Sequence, residues 1–284
     1  STNWLGVNMK YEVSSGLMLA ASVYGNPSDN LVILLHGGGQ TRHAWGATGQ
    51  KLSECGFYTV SLDLRGHGDS DWSPEGSYKV ENFRDDLLSV IRQIGKPAAL
   101  VGASLGGMIS LSTVGDERFR EFCTALVMVD IGILPNEDGS NEILKFMSSG
   151  HMGFKSLEDA SRAISMFLPY REKPRDFSGL EKNLRLRSDG RYYWHWDPQF
   201  IDAMSNDKQG YRKRLKNYAK SIYVPTLLIK GALSNVVTQQ EVDEFLLTIP
   251  HAHFVEIDQA AHMIAGDRND IFAKAAISFL KRLN

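Results

Sequence analysis

The feature that most constrains this chain of 284 residues is a rhythm of short apolar runs alternating with longer amphipathic stretches. The short runs are Leu31–Leu35, Phe57–Leu62, Ala98–Val101, Ala125–Val129, Thr226–Ile229 and His253–Ile257. Several are apolar throughout instead of at every second residue. A strand of that kind must be covered on both faces, as parallel strands between helices are. Between the runs, Val80, Phe83, Leu87, Ile91 and Ile94 recur at spacings of three and four, and Gly95 supplies a stop. Val242, Phe245, Leu246 and Ile249 form a second stripe, and Ile271, Ala275, Phe279 and Leu283 a third. Strands and helices in alternation predict an α/β fold with a doubly wound, mostly parallel sheet.

One stretch breaks the rhythm. From Leu134 to Ala219 the chain holds helical pieces, the prolines Pro135, Pro169, Pro174 and Pro198, and one hairpin signal, Asp189-Gly190 within Asn183–Trp196. The sheet pattern resumes at Pro225. This predicts a core of residues 1–133 and 220–284 carrying an insertion of residues 134–219, expected to serve as a lid over a pocket.

Within the core, Gly102-Ala103-Ser104-Leu105-Gly106 lies between the run Ala98–Val101 and the helical start Met108-Ile109-Ser110-Leu111. A strand that turns sharply into a helix holds Ser104 with its hydroxyl exposed. Glycines flank it because side chains there would collide with the turn. Ser104 is therefore the expected nucleophile. An acyl-transfer oxyanion needs two backbone N–H donors aimed at one point. Leu105 would provide one. Gly38, in the loop His36-Gly37-Gly38-Gly39 after the first strong run, would provide the other. His36 reads as a structural histidine of that loop. Of the eight histidines, His262 is best placed as the base. It follows the run ending at Ile257 and precedes the last helix, at the edge where open parallel sheets bind ligands.

These pieces, together with Asp63-Leu64-Arg65-Gly66-His67-Gly68-Asp69-Ser70 and His262-Met263-Ile264-Ala265-Gly266-Asp267, resemble the α/β-hydrolase superfamily over nearly the whole chain. The resemblance implies an eight-stranded sheet with a helical cap inserted after the sixth strand. It also implies a third catalytic residue, an aspartate after the seventh strand. Here that position is Asn235, which cannot stabilise an imidazolium as a carboxylate does. Some members carry the acid after the sixth strand, where this chain has Asp130. Asp130 is the preferred acid, Asn235 the departed position, and Asp258, four residues before His262, a third option.

Function is less sharply specified. The expected reaction is hydrolysis of a carboxylic ester or lactone of a small, largely apolar substrate through an acyl-enzyme. A C–C bond hydrolase acting on a carbonyl compound and a hydrolase-fold ligand sensor with little turnover are the alternatives. Epoxide hydrolase and dehalogenase chemistry would need a carboxylate where Ser104 stands. Tyr192, Tyr193, Trp194 and Trp196, with Met147, Met152, Met166 and Phe167, are candidate pocket residues, as is Trp45. Arg171, Arg175, Arg185, Arg187 and Arg191 are candidates to hold a substrate carboxylate.

A net charge of −2 argues against a nucleic-acid face and gives no electrostatic reason to sit on an anionic membrane. Two cysteines, Cys55 and Cys123, read as free thiols. No metal-ligand or dinucleotide motif appears, so no metal and no cofactor is expected. With no apolar run of membrane-spanning length and no signal-like start, a cytoplasmic protein acting on a small molecule is expected.

Overall fold

The computed structural model describes residues 2–133, 137–167 and 178–284. Two N-terminal strands, β1 (Trp4–Glu12) and β2 (Met18–Gly25), form an antiparallel pair. They are followed by β3 (Asn30–Leu35), α1 (Gly46–Glu54), β4 (Phe57–Leu62), α2 (Val80–Ile94), β5 (Ala98–Ala103), α3 (Leu105–Val114) and β6 (Cys123–Val129). The chain then leaves the sheet for α4 (Glu137–Ser148), α5 (Leu157–Phe167), the short α6 (Ser178–Glu181), a hairpin of β7 (Leu184–Leu186) and β8 (Tyr192–Trp194), α7 (Pro198–Asn206) and α8 (Lys208–Ala219). It returns as β9 (Thr226–Gly231), α9 (Gln239–Thr248), β10 (His253–Ile257) and α10 (Ala273–Arg282).

The eight-stranded sheet runs in the order β1-β2-β4-β3-β5-β6-β9-β10. β2 is antiparallel to both β1 and β4, and every other pairing is parallel. This is the α/β architecture expected from the alternating runs. From β3 the chain steps outward to β4 and then crosses back to β5 on the other side. The loops after β3 and β5 therefore part at the C-terminal edge and leave a crevice there.

Successive residues of each parallel strand feed two cores. Ile33, Leu35, Leu100, Leu126, Met128 and Leu228 pack on the side of α2, α3 and α9. Val32, Leu34, Val101, Val127, Leu227 and Ile229 pack against Leu52 of α1 and Phe279 and Leu280 of α10. α3, between the sheet and the inserted helices, is buried at all ten positions. Gly95 ends α2 in the left-handed conformation at φ 84°, its N–H bonded to the Ile91 carbonyl.

Three sequence expectations need correction. The alternating runs leave out β1 and β2: most of β1 faces solvent, and the apolar run Met18–Ala21 of the buried β2 is short and followed by Ser22. The hairpin turn is longer than Asp189-Gly190 suggests: it spans Arg187 to Arg191, closed by the Arg187 N–H on the Arg191 carbonyl at 3.0 Å. The last helix buries Ala273, Ala276, Phe279 and Leu280, with Phe272 buried in the turn before it, while Ile271 and Leu283 stay about half exposed. Leu134, Pro135, Pro169, Pro174, Arg171 and Arg175 lie outside the described residues.

Candidate active site

Three strand ends are tied together by two main-chain bonds and one to a side chain where the crevice opens. The Ser104 N–H donates to the Val129 carbonyl at 2.8 Å, and the Asp130 N–H to the Ile229 carbonyl at 2.8 Å. The Gly231 N–H in turn donates to Asp130 Oδ1 at 2.8 Å. The ends of β5, β6 and β9 thus fix one another, and with them Ser104 and Asp130. Both residues pay in backbone conformation. Ser104 sits at φ 51° and Asp130 at φ 55°, two of three non-glycine residues with positive φ among the described residues. Each costs on the order of 1–3 kcal/mol, a strain that persists only where the surroundings enforce it.

The enforcement at Ser104 is visible in its glycines. A Cβ on Gly102 would stand 2.2 Å from the Gly106 carbonyl oxygen, and one on Gly106 would stand 2.4 Å from that of Leu35. Only glycine lets β5, the turn and α3 pass this closely beside β3.

Ser104, Leu105, Gly38 and His262 line one cavity. Leu105 is the first residue of α3, where backbone N–H groups have no intrahelical acceptor. The rest of the lining is mostly apolar: Met108, Ile131, Ile143, Leu144, Met147, Phe200, Met204 and Val236 contribute. The space is about 100 Å³, enough for a small acyl group and several times what a single water needs.

The glycine loop is held from three directions. His36 Nδ1 donates to the Gly37 carbonyl at 2.7 Å, and His36 Nε2 accepts from the Leu64 N–H at 3.0 Å. The Gly37 N–H donates to Gln40 Oε1 at 2.9 Å. Gln40 and Asn269 then exchange amide hydrogen bonds, each 3.0 Å. That pair clamps the glycine loop to the segment that follows His262. From the inserted segment, His195 Nε2 donates to the Gly39 carbonyl at 2.9 Å while His195 Nδ1 accepts from the Gly68 N–H at 2.8 Å.

His36, His67 and His195 stand in a buried row, with ring centres 5.2 and 5.9 Å apart. Burial lowers all three, His36 to about 4 and His67 to about 3. Asp63, fully buried, accepts from the Arg42 N–H and guanidinium and from the Asp69 N–H. The motif from Asp63 to Ser70 is therefore structural: it anchors the loop on which His36 and His195 lean.

Asp130 Oδ2 lies 3.9 Å from His262 Nδ1, both side chains buried. The two are neighbours but stand beyond hydrogen-bond distance. Burial pushes the Asp130 carboxyl up to about 7, against the opposing pull of the Gly231 N–H, the Lys230 charge and the Ser234 hydroxyl. Asn235 is placed differently. It is exposed, and its Nδ2 donates to Glu142 Oε2 of α4 at 3.1 Å. Asp258 is exposed as well.

Among the aromatic candidates the structure makes a sharp selection. Trp194 and Trp196 are buried, stacked on each other with ring centres 5.0 Å apart, and pack inside the inserted segment. Met152 and Met166 are exposed. Trp45 is fully buried under the sheet, donating to the Leu35 carbonyl at 3.1 Å. Of these candidates Met147 alone lines the cavity with Ser104. Composition identifies apolar bulk in the insertion but not which way it points. Phe200, Met204, Tyr211 and Arg212, which do reach the cavity, carry no local signal. Arg185 reaches Asp69 at 3.4 Å, and Arg187 stacks over Tyr193, both away from the cavity. Among the described residues, no group of three or more His, Cys, Asp or Glu side chains could hold a metal ion. No helix there is long and apolar enough to cross a membrane.

Comparison with known proteins agrees with this architecture. The profile of the alpha/beta hydrolase fold family matches residues 30–268. An esterase of Mycobacterium tuberculosis is 27% identical over 249 residues, covering 84% of this chain and 78% of that protein. A 2-(acetamidomethylene)succinate hydrolase of Mesorhizobium japonicum is 24% identical over 237 residues, covering 79% and 78%. A crystal structure of an E-2-(acetamidomethylene)succinate hydrolase superposes with a TM-score of 0.82 at 20% identity, covering 96% of this chain and 98% of that one. The family match spans β3 to β10, the glycine loop, the serine turn and the segment carrying His262, and the chain is a member of the α/β-hydrolase fold family.

Proposed function

We propose that this chain is a serine hydrolase that cleaves a carboxylic ester or lactone of a small, largely apolar substrate, with Ser104, His262 and Asp130 as its catalytic residues. The observation that carries the reading is the strained serine, at φ 51° between colliding glycines, sharing one cavity with His262, Gly38 and Leu105. The esterase relative adds weight.

In this reading Ser104 Oγ attacks the substrate carbonyl and passes its proton to His262. The oxyanion is received by the N–H groups of Gly38 and Leu105. As the tetrahedral intermediate collapses, the alkoxy group leaves with the proton from His262, and the acyl group stays on Ser104. Water, deprotonated by the same imidazole, then attacks the acyl-enzyme and releases the acid. Each attack makes His262 an imidazolium. The attraction of a cation for Asp130 favours closing the 3.9 Å gap by the roughly 1 Å that a charge-assisted hydrogen bond requires. The segment 134–219 serves as the cap that covers the acyl group. An intact serine and histidine favour turnover over ligand sensing, and Asn235, exposed on Glu142, takes no part.

The test is labelling with a fluorophosphonate probe alongside a screen of p-nitrophenyl esters and lactones. Wild-type protein should be labelled on Ser104 and hydrolyse short esters, and Ser104→Ala should lose both. An adduct on another residue, or an active Ser104→Ala protein, refutes the assignment.

A further inference from the structure

The cavity beside Ser104 is apolar toward the sheet but has a polar wall on the side of α8. There Tyr211 and Arg212 join the lining, with Glu137 of α4 beside them. The Tyr211 hydroxyl lies against Met108 Sδ, its hydrogen-bond partner among the described residues. Met108 is one turn along α3 from the nucleophile, its N–H bonded to the Ser104 carbonyl at 3.1 Å.

A thioether is a weak acceptor. A phenol held against one in an apolar cavity keeps most of its capacity to donate. Burial raises the Tyr211 hydroxyl above its ordinary value, so it remains a protonated donor across the usual pH range.

The charges around it decide what kind of acceptor fits. Arg212 is ion-paired with Glu137 at 3.0 Å. This wall has no net positive charge with which to attract an anion.

We propose that Tyr211 donates a hydrogen bond to an uncharged oxygen in the acyl part of the substrate, a keto, ether or amide oxygen roughly one helical turn, about 5–6 Å, from the reacting carbonyl. Tyr211 is then a specificity-determining residue that selects oxygen-bearing acyl groups over plain hydrocarbon chains of the same length. The inference rests on the esterase reading above and deepens it.

The test compares two isosteric substrates, p-nitrophenyl 4-methoxybutanoate and p-nitrophenyl hexanoate, which differ by one ether oxygen in place of a methylene. The quantity read is the ratio of their kcat/KM values in wild type and in Tyr211→Phe. That ratio should fall by about tenfold in the variant, the size of effect expected for one buried hydrogen bond. A purely structural role would change both substrates alike and leave the ratio where it was, which overturns the proposal. The mono-p-nitrophenyl ester of glutaric acid supplies a charged arm. If wild type prefers it to the ether and Arg212→Gln removes that preference, the wall reads an anion and the proposal is wrong. If wild type hydrolyses no ester, the esterase reading fails by itself. The Kd ratio of methyl 4-methoxybutanoate and methyl hexanoate, measured by calorimetry on Ser104→Ala protein with and without Tyr211→Phe, then decides the Tyr211 proposal.

Discussion

Replacing Asp130 by asparagine separates what this carboxylate costs the fold from the part in turnover that the proposed mechanism gives it. Its carboxyl is pushed from the ordinary 3.8 up to about 7 by burial. The native protein therefore holds the proton more tightly than the unfolded chain does. Below about pH 4 both states are protonated, and the group is neutral toward folding. Between pH 4 and 7 the unfolded chain ionises first, so stability falls as pH rises, and above pH 7 the cost is complete. The gap of roughly three pH units at 1.36 kcal/mol each sets a ceiling of about 4 kcal/mol. Asparagine has the same shape, carries no charge and keeps an oxygen to accept the Gly231 N–H bond. Asp130→Asn should therefore unfold at higher urea concentration than wild type at pH 8, by roughly 1–4 kcal/mol, and the difference should vanish near pH 4. Turnover should move the opposite way. The amide would donate toward His262 Nδ1 and select the wrong tautomer, which lowers kcat by about four orders of magnitude in serine proteases. Urea melts at the two pH values and kcat on a p-nitrophenyl ester read both effects. A variant that is less stable at pH 8, or that keeps kcat near wild type, refutes the reasoning.

Other perturbations probe the neighbouring parts. Asn235→Asp replaces an amide donor to Glu142 with a second carboxylate, so ester hydrolysis should not rise and thermal stability should drop by about 0.5–1 kcal/mol; a large gain in kcat would return the acid to position 235. His195→Ala strands the Gly39 carbonyl and the Gly68 N–H at a cost of about 1–3 kcal/mol each, and KM should rise with the melting temperature lowered; an unchanged melt refutes the tie. Because burial lowers His36, His67 and His195, the unfolded chain takes up their protons first. Their contribution to stability is therefore full above about pH 6.5 and is lost as pH falls toward 4, opposite in sign to that of Asp130. Urea midpoints of the Asp130→Asn protein, which lacks that opposing titration, should fall across that range with a slope of more than one proton; a flat profile refutes the buried neutral row. Gly106→Ala forces a Cβ to within 2.4 Å of the Leu35 carbonyl oxygen and should yield little folded protein on size exclusion.

Much of this architecture is written locally in the chain. The parallel strands are legible because both of their faces are covered, which forces runs such as Leu31–Leu35 to be apolar throughout. β1 is not, because a strand facing solvent has no such run. The serine turn is legible since close main-chain packing demands glycine at fixed spacing. The acid is harder. Asp130 and Asn235 both follow strands, and only the strand order and the length of each loop place one behind His262 and the other on Glu142. The Gln40–Asn269 clamp joins residues 229 positions apart, and two amides carry no periodicity that could announce their pairing. The lining of the cavity is similarly hidden. Trp194 and Phe200 are six residues apart and equally apolar, and only the path of the chain turns one into its own core and the other toward Ser104.

The inserted helices leave the sheet after β6 and rejoin it at β9, and these two strands are neighbours, with Leu126 opposite Thr226. The two strands are parallel, so the chain leaves after Val129 at one edge of the sheet and must re-enter before Thr226 at the other, a crossing that α8 makes over α3. Closing a longer excursion adds only about 0.6 kcal/mol for each doubling of its length. Chain entropy thus sets little limit on how much is spliced in here, but α8 over α3 and the His195 ties to Gly39 and Gly68 are fixed points. A lineage could lengthen the stretch between them and keep the register of the strands that carry Ser104 and Asp130. Length is free to drift there, and the anchoring side chains are not.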